Sequence, residues 1–148
     1  MIFLDAYALV ALIADEPAAE EVEKILRDGE TRIVIVNLAE AIDISTRVHR
    51  LPKEDIRGAI ELLLLGNVLS AAVSDEPQAW LAADLRAKHF DKKTSALSMA
   101  DCFLLAHALT DGGAIATPDP PIAAAAKAEG IELVGLPDSS GKRPWSLT

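Results

Sequence analysis

Aromatic residues make up only 4% of this 148-residue chain, although 51% of it is hydrophobic, so the core must be aliphatic. Cysteine is almost missing. The lone Cys102 has no partner, which excludes a disulfide scaffold and suits a reducing compartment. No apolar run approaches the ~20 residues of a membrane helix, and Met1 leads through Ile2, Phe3 and Leu4 to Asp5 without the basic segment of a secretion signal. Positive charge is scarce: 14 Lys and Arg stand against 23 Asp and Glu, for a net charge of -9. That balance excludes a protein that coats nucleic acid by charge alone, because such binding works by neutralising phosphates. It leaves room for an enzyme that handles nucleic acid through bound cations. The expectation is one cytoplasmic domain over residues 1–136, with a surface tail at 137–148 rich in Pro, Ser and Gly.

Short apolar segments alternate with helical ones. Met1–Leu4 reads as a buried strand and Arg32–Val36 as a β-branched one; Val68–Val73, Ala114–Thr117 and Ile131–Val134 complete a set of five. Helices are predicted between them, with Asn37 as an N-cap, Pro52 and Pro77 near helix starts, and Gly29, Gly66, Gly112 and Gly130 near helix ends. Alternation of this kind predicts an α/β fold of three layers, α/β/α, around a mostly parallel sheet. Trp80 is expected to anchor its helix, and His107 and Cys102 to be core residues.

Acids interrupt the apolar sequence at four telling places. Asp5 ends the first strand, and Asp119 follows the Ala114–Thr117 strand, where ligands bind in open α/β sheets. Glu40 and Asp101 fall in the first turns of apolar helices. Each has an ordinary reading as a cap or a first-turn acid favoured by the helix dipole. No Lys or Arg stands beside Asp5, Glu40 or Asp101 in sequence, however, and caps alone do not explain that. Two like charges ~4 Å apart repel by about 4 kcal/mol at an effective dielectric of 20. A hard divalent cation removes this repulsion. Mg²⁺ suits an all-oxygen site that keeps water for a phosphate, and Mn²⁺ substitutes for it. Phosphodiester hydrolysis is the chemistry such sites perform.

These residues carry a family resemblance. Asp5 after a strand, the segment Asn37-Leu38-Ala39-Glu40, the segment Leu97-Ser98-Met99-Ala100-Asp101 and finally Thr117-Pro118-Asp119 resemble the PIN-domain nucleases, and the early helix pair resembles the VapC-like toxins. The likeness implies catalytic and metal-ligating roles for Asp5, Glu40, Asp101 and Asp119. It also implies a Mg²⁺ or Mn²⁺ cofactor, endoribonuclease activity on RNA and inhibition by a cognate antitoxin. A homodimer is expected as well. Leu9, Leu12, Ile13 and the Ile60–Leu65 run are candidates for antitoxin contact. Arg47, Arg50, Arg86, Lys92 and Lys93 are candidates for the approach of RNA. One position departs from the family: Tyr7 stands where many relatives carry Ser, Thr or Asn. It keeps open the alternative of a catalytically silent PIN-like module that binds RNA or protein. Tyr7 also argues against a haloacid-dehalogenase-like phosphatase, which needs a second Asp there.

Overall fold

A computed structural model describes residues 1–145 of the chain; the end of the predicted tail, residues 146–148, lies outside the described residues. Five short strands are joined by seven helices among these residues. The order along the chain is β1 (Ile2–Leu4), α1 (Ala6–Ile13), α2 (Ala19–Asp28), β2 (Thr31–Val34), α3 (Ile35–Arg47) and α4 (Lys53–Leu65). There follow β3 (Ser70–Ala72), α5 (Glu76–His89), α6 (Met99–Asp111), β4 (Ala114–Thr117), α7 (Pro120–Ala128) and β5 (Leu133–Gly135). All strand pairs are parallel, in the order β3-β2-β1-β4-β5. The predicted three-layer α/β fold is therefore the one observed.

Alternation along the strands sorts the core into two halves. Leu4, Ile33 and Ala116 face the layer of α1, α2 and α4, with Leu9, Val22, Ile56 and Ile60 packed against them. Phe3, Val34 and Ile115 face the opposite layer, where Leu85 of α5, Leu104 and Leu105 of α6 and Ile122 of α7 close the core. Parallel strands covered on both faces read as unbroken apolar runs, which is why so short a run as Ile-Phe-Leu suffices for β1. Phe3 also explains a glycine. A Cβ at Gly113 would lie 3.0 Å from the Phe3 ring, so the turn into β4 passes close over it. The preceding Gly112 ends α6 at φ +73°, a left-handed conformation natural to glycine.

Several expectations shift. β2 stops at Val34: its ladder with β1 ends at the Leu4–Ile33 pair, before Asp5 turns the chain into α1, and its ladder with β3 ends at the Val34–Ala72 pair. Ile35 and Val36, read as strand, therefore start α3, and Asn37 is a buried residue inside the helix, not its N-cap. β5 begins at Leu133 because its ladder runs beside β4 from Ile115 to Thr117; Ile131 is buried ahead of it. Leu9 belongs to the core, which removes it from any partner surface; Ile60 is buried but still lines the cavity along α3 and α4, and Leu62 and Leu65 are exposed. Trp80 does not anchor α5: it is 69% exposed, and its indole N–H donates to Glu76 Oε1 at 3.3 Å along the helix surface.

The contrast between Leu104 and Trp80 is measurable. Leu104→Ala empties a fully buried site and should destabilise the fold by about 2–5 kcal/mol. Trp80→Ala should stay within about 0.5 kcal/mol. Denaturant melts of the two variants check the pair, and comparable losses would contradict the packing described.

Candidate active site

The four predicted carboxylates meet at the carboxyl edge of the sheet, around the gap between β1 and β4. That gap is the switch point of the topology, since chain order runs from β1 outward to β3 on one side and through β4 to β5 on the other. Each acid stands near the start of a different helix. Asp5 is the N-cap of α1, its Oδ1 accepting from Ala8 N at 2.7 Å. Asp119 is the N-cap of α7, accepting from Ile122 N at 3.4 Å. Asp101 closes a capping box with Ser98, accepting from Ser98 N at 2.9 Å while its own N–H donates to Ser98 Oγ at 3.0 Å. Glu40 rises from the second turn of α3, where Asn37 Nδ2 donates to its Oε1 at 3.3 Å. The capping roles weighed from sequence are thus present at Asp5, Asp101 and Asp119 but not at Glu40, because α3 starts two residues before Asn37. The acids lie near one another as well. Helix N-termini supply the partial positive charge that makes such a gathering bearable.

Thr117 ties the cluster together. Its hydroxyl donates to Asp5 Oδ2 and accepts from Asp119 N at 3.0 Å, bridging β1 to the cap of α7. Asn37 performs a similar service, donating to Glu40 and to the Ala100 carbonyl at 3.3 Å, and so links α3 to α6 beside Asp101. The sequence signal for these two roles is a hydroxyl at a strand end, two residues before a capping Asp, and an amide three residues before Glu40.

The electrostatics follow from burial and like charge. Asp5 is 2% exposed, and its carboxyl is pushed up to about 7, chiefly by burial; its bonds to Thr117 and Ala8 pull the other way, and Asp119 and Asp101 add repulsion. Burial likewise raises Glu40, Asp101 and Asp119, with the charge of Asp101 adding to the rise at Glu40 and at Asp119. Tyr7, exposed at the rim, has its phenol raised by burial and by all four acids. Among the described residues no Lys or Arg pairs with any of the four.

The donor set fits a hard divalent cation. Asp101 Oδ1, Asp119 Oδ1 and Glu40 Oε2 accept no hydrogen bond among the described residues, and the buried Asn37 Oδ1 is unpartnered too. No group of three or more Asp, Glu, His or Cys is drawn tightly enough to hold a metal as it stands among those residues. Fewer protein ligands suffice for Mg²⁺, which is usually held by one or two carboxylates and keeps several waters.

His107, Cys102, Arg47 and Arg86 serve the fold elsewhere. His107 is buried, hydrogen-bonded to Ser74 Oγ at 2.9 Å and Gln78 Nε2 at 3.2 Å, and burial lowers its pKa. Cys102 is a core residue, its thiol pushed up to about 11 by burial. Arg47 is paired with Asp43 at 3.0 Å. Arg86 donates to the Leu97 carbonyl at 3.1 Å and lies over the Phe90 ring. Both are engaged within the fold and are weak candidates for phosphate contact.

The sequence matches the family model of the PIN domain over residues 2–128. No curated protein matches it. Solved structures do match in fold. DNA-bound VapBC from Salmonella typhimurium aligns at a TM-score of 0.68 and 20% identity, covering 90% of this chain and 96% of that one. The sarcin-ricin-loop-cleaving toxin VapC20 from Mycobacterium tuberculosis gives 0.63 and 16%, covering 76% and 85%. A toxin-antitoxin complex from Klebsiella pneumoniae gives 0.58 and 16%, covering 80% and 87%.

The raised carboxyl of Asp5 makes a prediction about pH. In the folded chain the group keeps its proton to about pH 7, and in the unfolded chain only to about its ordinary 3.8. Between these values the folded state holds the extra proton, so stability is present at low pH and is lost as pH rises through 7. Asp5→Asn, which stays neutral and can still accept from Ala8 N while its amide NH2 donates to the Thr117 hydroxyl oxygen, should raise the melting temperature in EDTA at pH 8 and change it little at pH 4. Equal effects at the two pH values would contradict the burial of a titrating carboxyl.

Proposed function

The chain belongs to the PIN domain family, and we propose on that premise that it is a divalent-cation-dependent endoribonuclease, the toxin of a toxin–antitoxin pair acting in the cytoplasm. The observation that carries this reading is the meeting of Asp5, Glu40, Asp101 and Asp119 at the switch point with no cationic side chain among the described residues to neutralise them. Mg²⁺ or Mn²⁺, when bound, supplies a nucleophilic water and charge neutralisation for phosphodiester hydrolysis. The chain's own residues prepare the place. Asp101, Asp119 and Glu40 offer free oxygens as ligands. Asp5, held on both oxygens, is the fixed member, and through Thr117 it sets the backbone that carries Asp119. Asn37 steadies Glu40 against the start of α6. Burial keeps the local dielectric low, so interactions with a bound cation are strong.

The predicted partner is an amphipathic antitoxin helix. A cavity of about 230 Å³ lies along α3 and α4, lined by Ile42, Thr46, Ile56 and Ile60, with Leu62 and Leu65 exposed farther along α4. Such a groove takes a helix that presents apolar anchors on one face. A basic side chain delivered from the antitoxin to the four acids would occupy the place of the cation and stop cleavage. The chain alone forms a homodimer in this reading.

Asp5→Asn and Asp101→Asn should each lower Mg²⁺-dependent cleavage of single-stranded RNA by about 100-fold or more, with the fold retained in circular dichroism. Cation at 100 times its Kd should also stabilise the wild type by about 2.7 kcal/mol. Undiminished cleavage by the double variant in EDTA would sink the mechanism, and a folded, cation-binding protein that cuts no RNA would point to the silent binding module instead.

Light scattering of the purified chain should give twice its 15.7 kDa, and co-expression with the product of the adjacent small gene should yield an inactive complex. An active monomer indifferent to that product would remove the partner half of the reading.

A further inference from the structure

We propose that the cavity beside the four carboxylates is a pocket for one unpaired nucleobase, with Tyr7 as its stacking face and Glu16 as the group that reads the base. This deepens the ribonuclease reading and rests on it. The cavity measures about 270 Å³ and lies between α1 and the loops that follow β4 and β5. Among its walls are Tyr7, Glu16, Pro118, Asp119, Pro120 and Pro137. It is slightly smaller than the ~300 Å³ at which pockets for drug-sized ligands begin, the size class of a single planar fragment. Asp119 and Tyr7 belong both to this cavity and to the surroundings of the acids, so a base seated here belongs to a nucleotide next to the phosphate being cut.

The walls suit a base and little else that accompanies a phosphate. Tyr7 is the chain's one tyrosine and is 53% exposed. Among the described residues its hydroxyl makes no hydrogen bond, so neither packing nor hydrogen bonding explains why an aromatic ring stands there. An exposed ring beside a nucleic-acid site is a stacking platform, since every base has a π-face. The three prolines are stiff, apolar and without N–H donors. The other polar groups that line it are the Ser139 hydroxyl and the carboxylates of Glu16, Asp119 and Asp138, and Asp138 is already engaged by Ser140 and Lys142. The carboxylates, when ionised, only accept hydrogen bonds. Glu16 is partly buried and has His49 Nε2 3.6 Å from its Oε1. A base that presents two adjacent N–H donors is the best match for a carboxylate. Guanine does so with N1–H and N2–H₂, whereas uracil presents a single N3–H.

The test is a cycle between enzyme and substrate. Wild type and Tyr7→Ala are assayed with Mg²⁺ on single-stranded RNA, intact or with an abasic nucleotide on either side of the mapped cut. Because Tyr7 is exposed, the variant should melt as the wild type does. Tyr7→Ala should lower kcat/KM on intact RNA by about 5- to 150-fold, the worth of one stacked base. An abasic nucleotide at the pocket should lower the wild type by a similar factor and leave Tyr7→Ala nearly unaffected. Glu16→Gln should shrink the preference for guanine over uracil at that position. A second arm needs no cleavage: in EDTA, a short oligoribonucleotide containing 2-aminopurine should be quenched by the wild type and not by Tyr7→Ala. Quenching by a wild type that never cuts would sustain the pocket and remove the ribonuclease reading. Cleavage that Tyr7→Ala leaves unchanged, or lowers equally on intact and abasic RNA, would overturn the pocket and leave that reading standing. A wild type that neither quenches nor cuts would overturn the pocket.

Discussion

The pairing of β1 with β4 is the constraint on which the rest of this molecule depends. The two strands meet only because the sheet closes around the switch point, and Asp5 and Thr117, 112 positions apart, are hydrogen-bonded across it. That bond lies in a fully buried environment, where a lone carboxylate would be costly. Thr117 relieves part of the cost, Ala8 N–H another part, and what remains appears as a carboxyl raised to about 7. Folding thus brings together groups that would rather be apart. The fold tolerates this by setting Asp5, Asp101 and Asp119 at helix starts, where backbone N–H groups donate to them, and by holding Glu40 through the Asn37 amide.

Capping and convergence turn out to be one device. A helix that begins at the carboxyl edge of a parallel sheet needs a side-chain acceptor at its first turn, and the same side chain then points into the crevice where ligands bind. Asp101 and Asp119 each use one oxygen on the cap and leave the other without a hydrogen bond among the described residues. Structural and chemical readings of such residues are not rivals. Removing one of these carboxylates therefore touches helix stability and site charge together, with opposite signs.

Away from the crevice, cations serve the fold. Arg143 from the tail binds Glu21 of α2 and donates to the Gly135 carbonyl at 2.8 Å, fastening the tail beside β5. Arg86 fixes the segment before α6 through the Leu97 carbonyl, and the Lys88–Glu129 pair at 2.8 Å joins the end of α5 to the end of α7. Basic residues near one another in sequence were a poor guide to a shared surface, because the helices carrying them turn several inward or toward acidic neighbours.

Residue pattern alone determined the strand–helix alternation, the aliphatic two-sided core and the identity of the four acids, for a simple reason. Strands buried on both faces must be apolar throughout, so any acid that breaks such a run stands out, and Asp5 and Asp119 do so by position as well as by charge. What the pattern could not supply was everything that depends on a neighbour distant in the chain. Val36 is as β-branched as Val34, yet the strand ends at Val34 because neither β1, whose ladder ends opposite Ile33, nor β3, whose ladder ends opposite Val34, has a residue left to pair with. Trp80 has the bulk of an anchor but lies on the outer side of α5, since α6 packs the other side. Leu9 and Ile60 resemble the exposed Leu62 and Leu65 in composition, and only packing separates core from surface. Thr117 and Asn37 entered the site through hydrogen bonds across 112 and 63 positions. Composition and periodicity are local quantities, whereas a ladder's length, a helix's buried side and a buried hydroxyl's partner are settled by which elements the tertiary structure sets side by side.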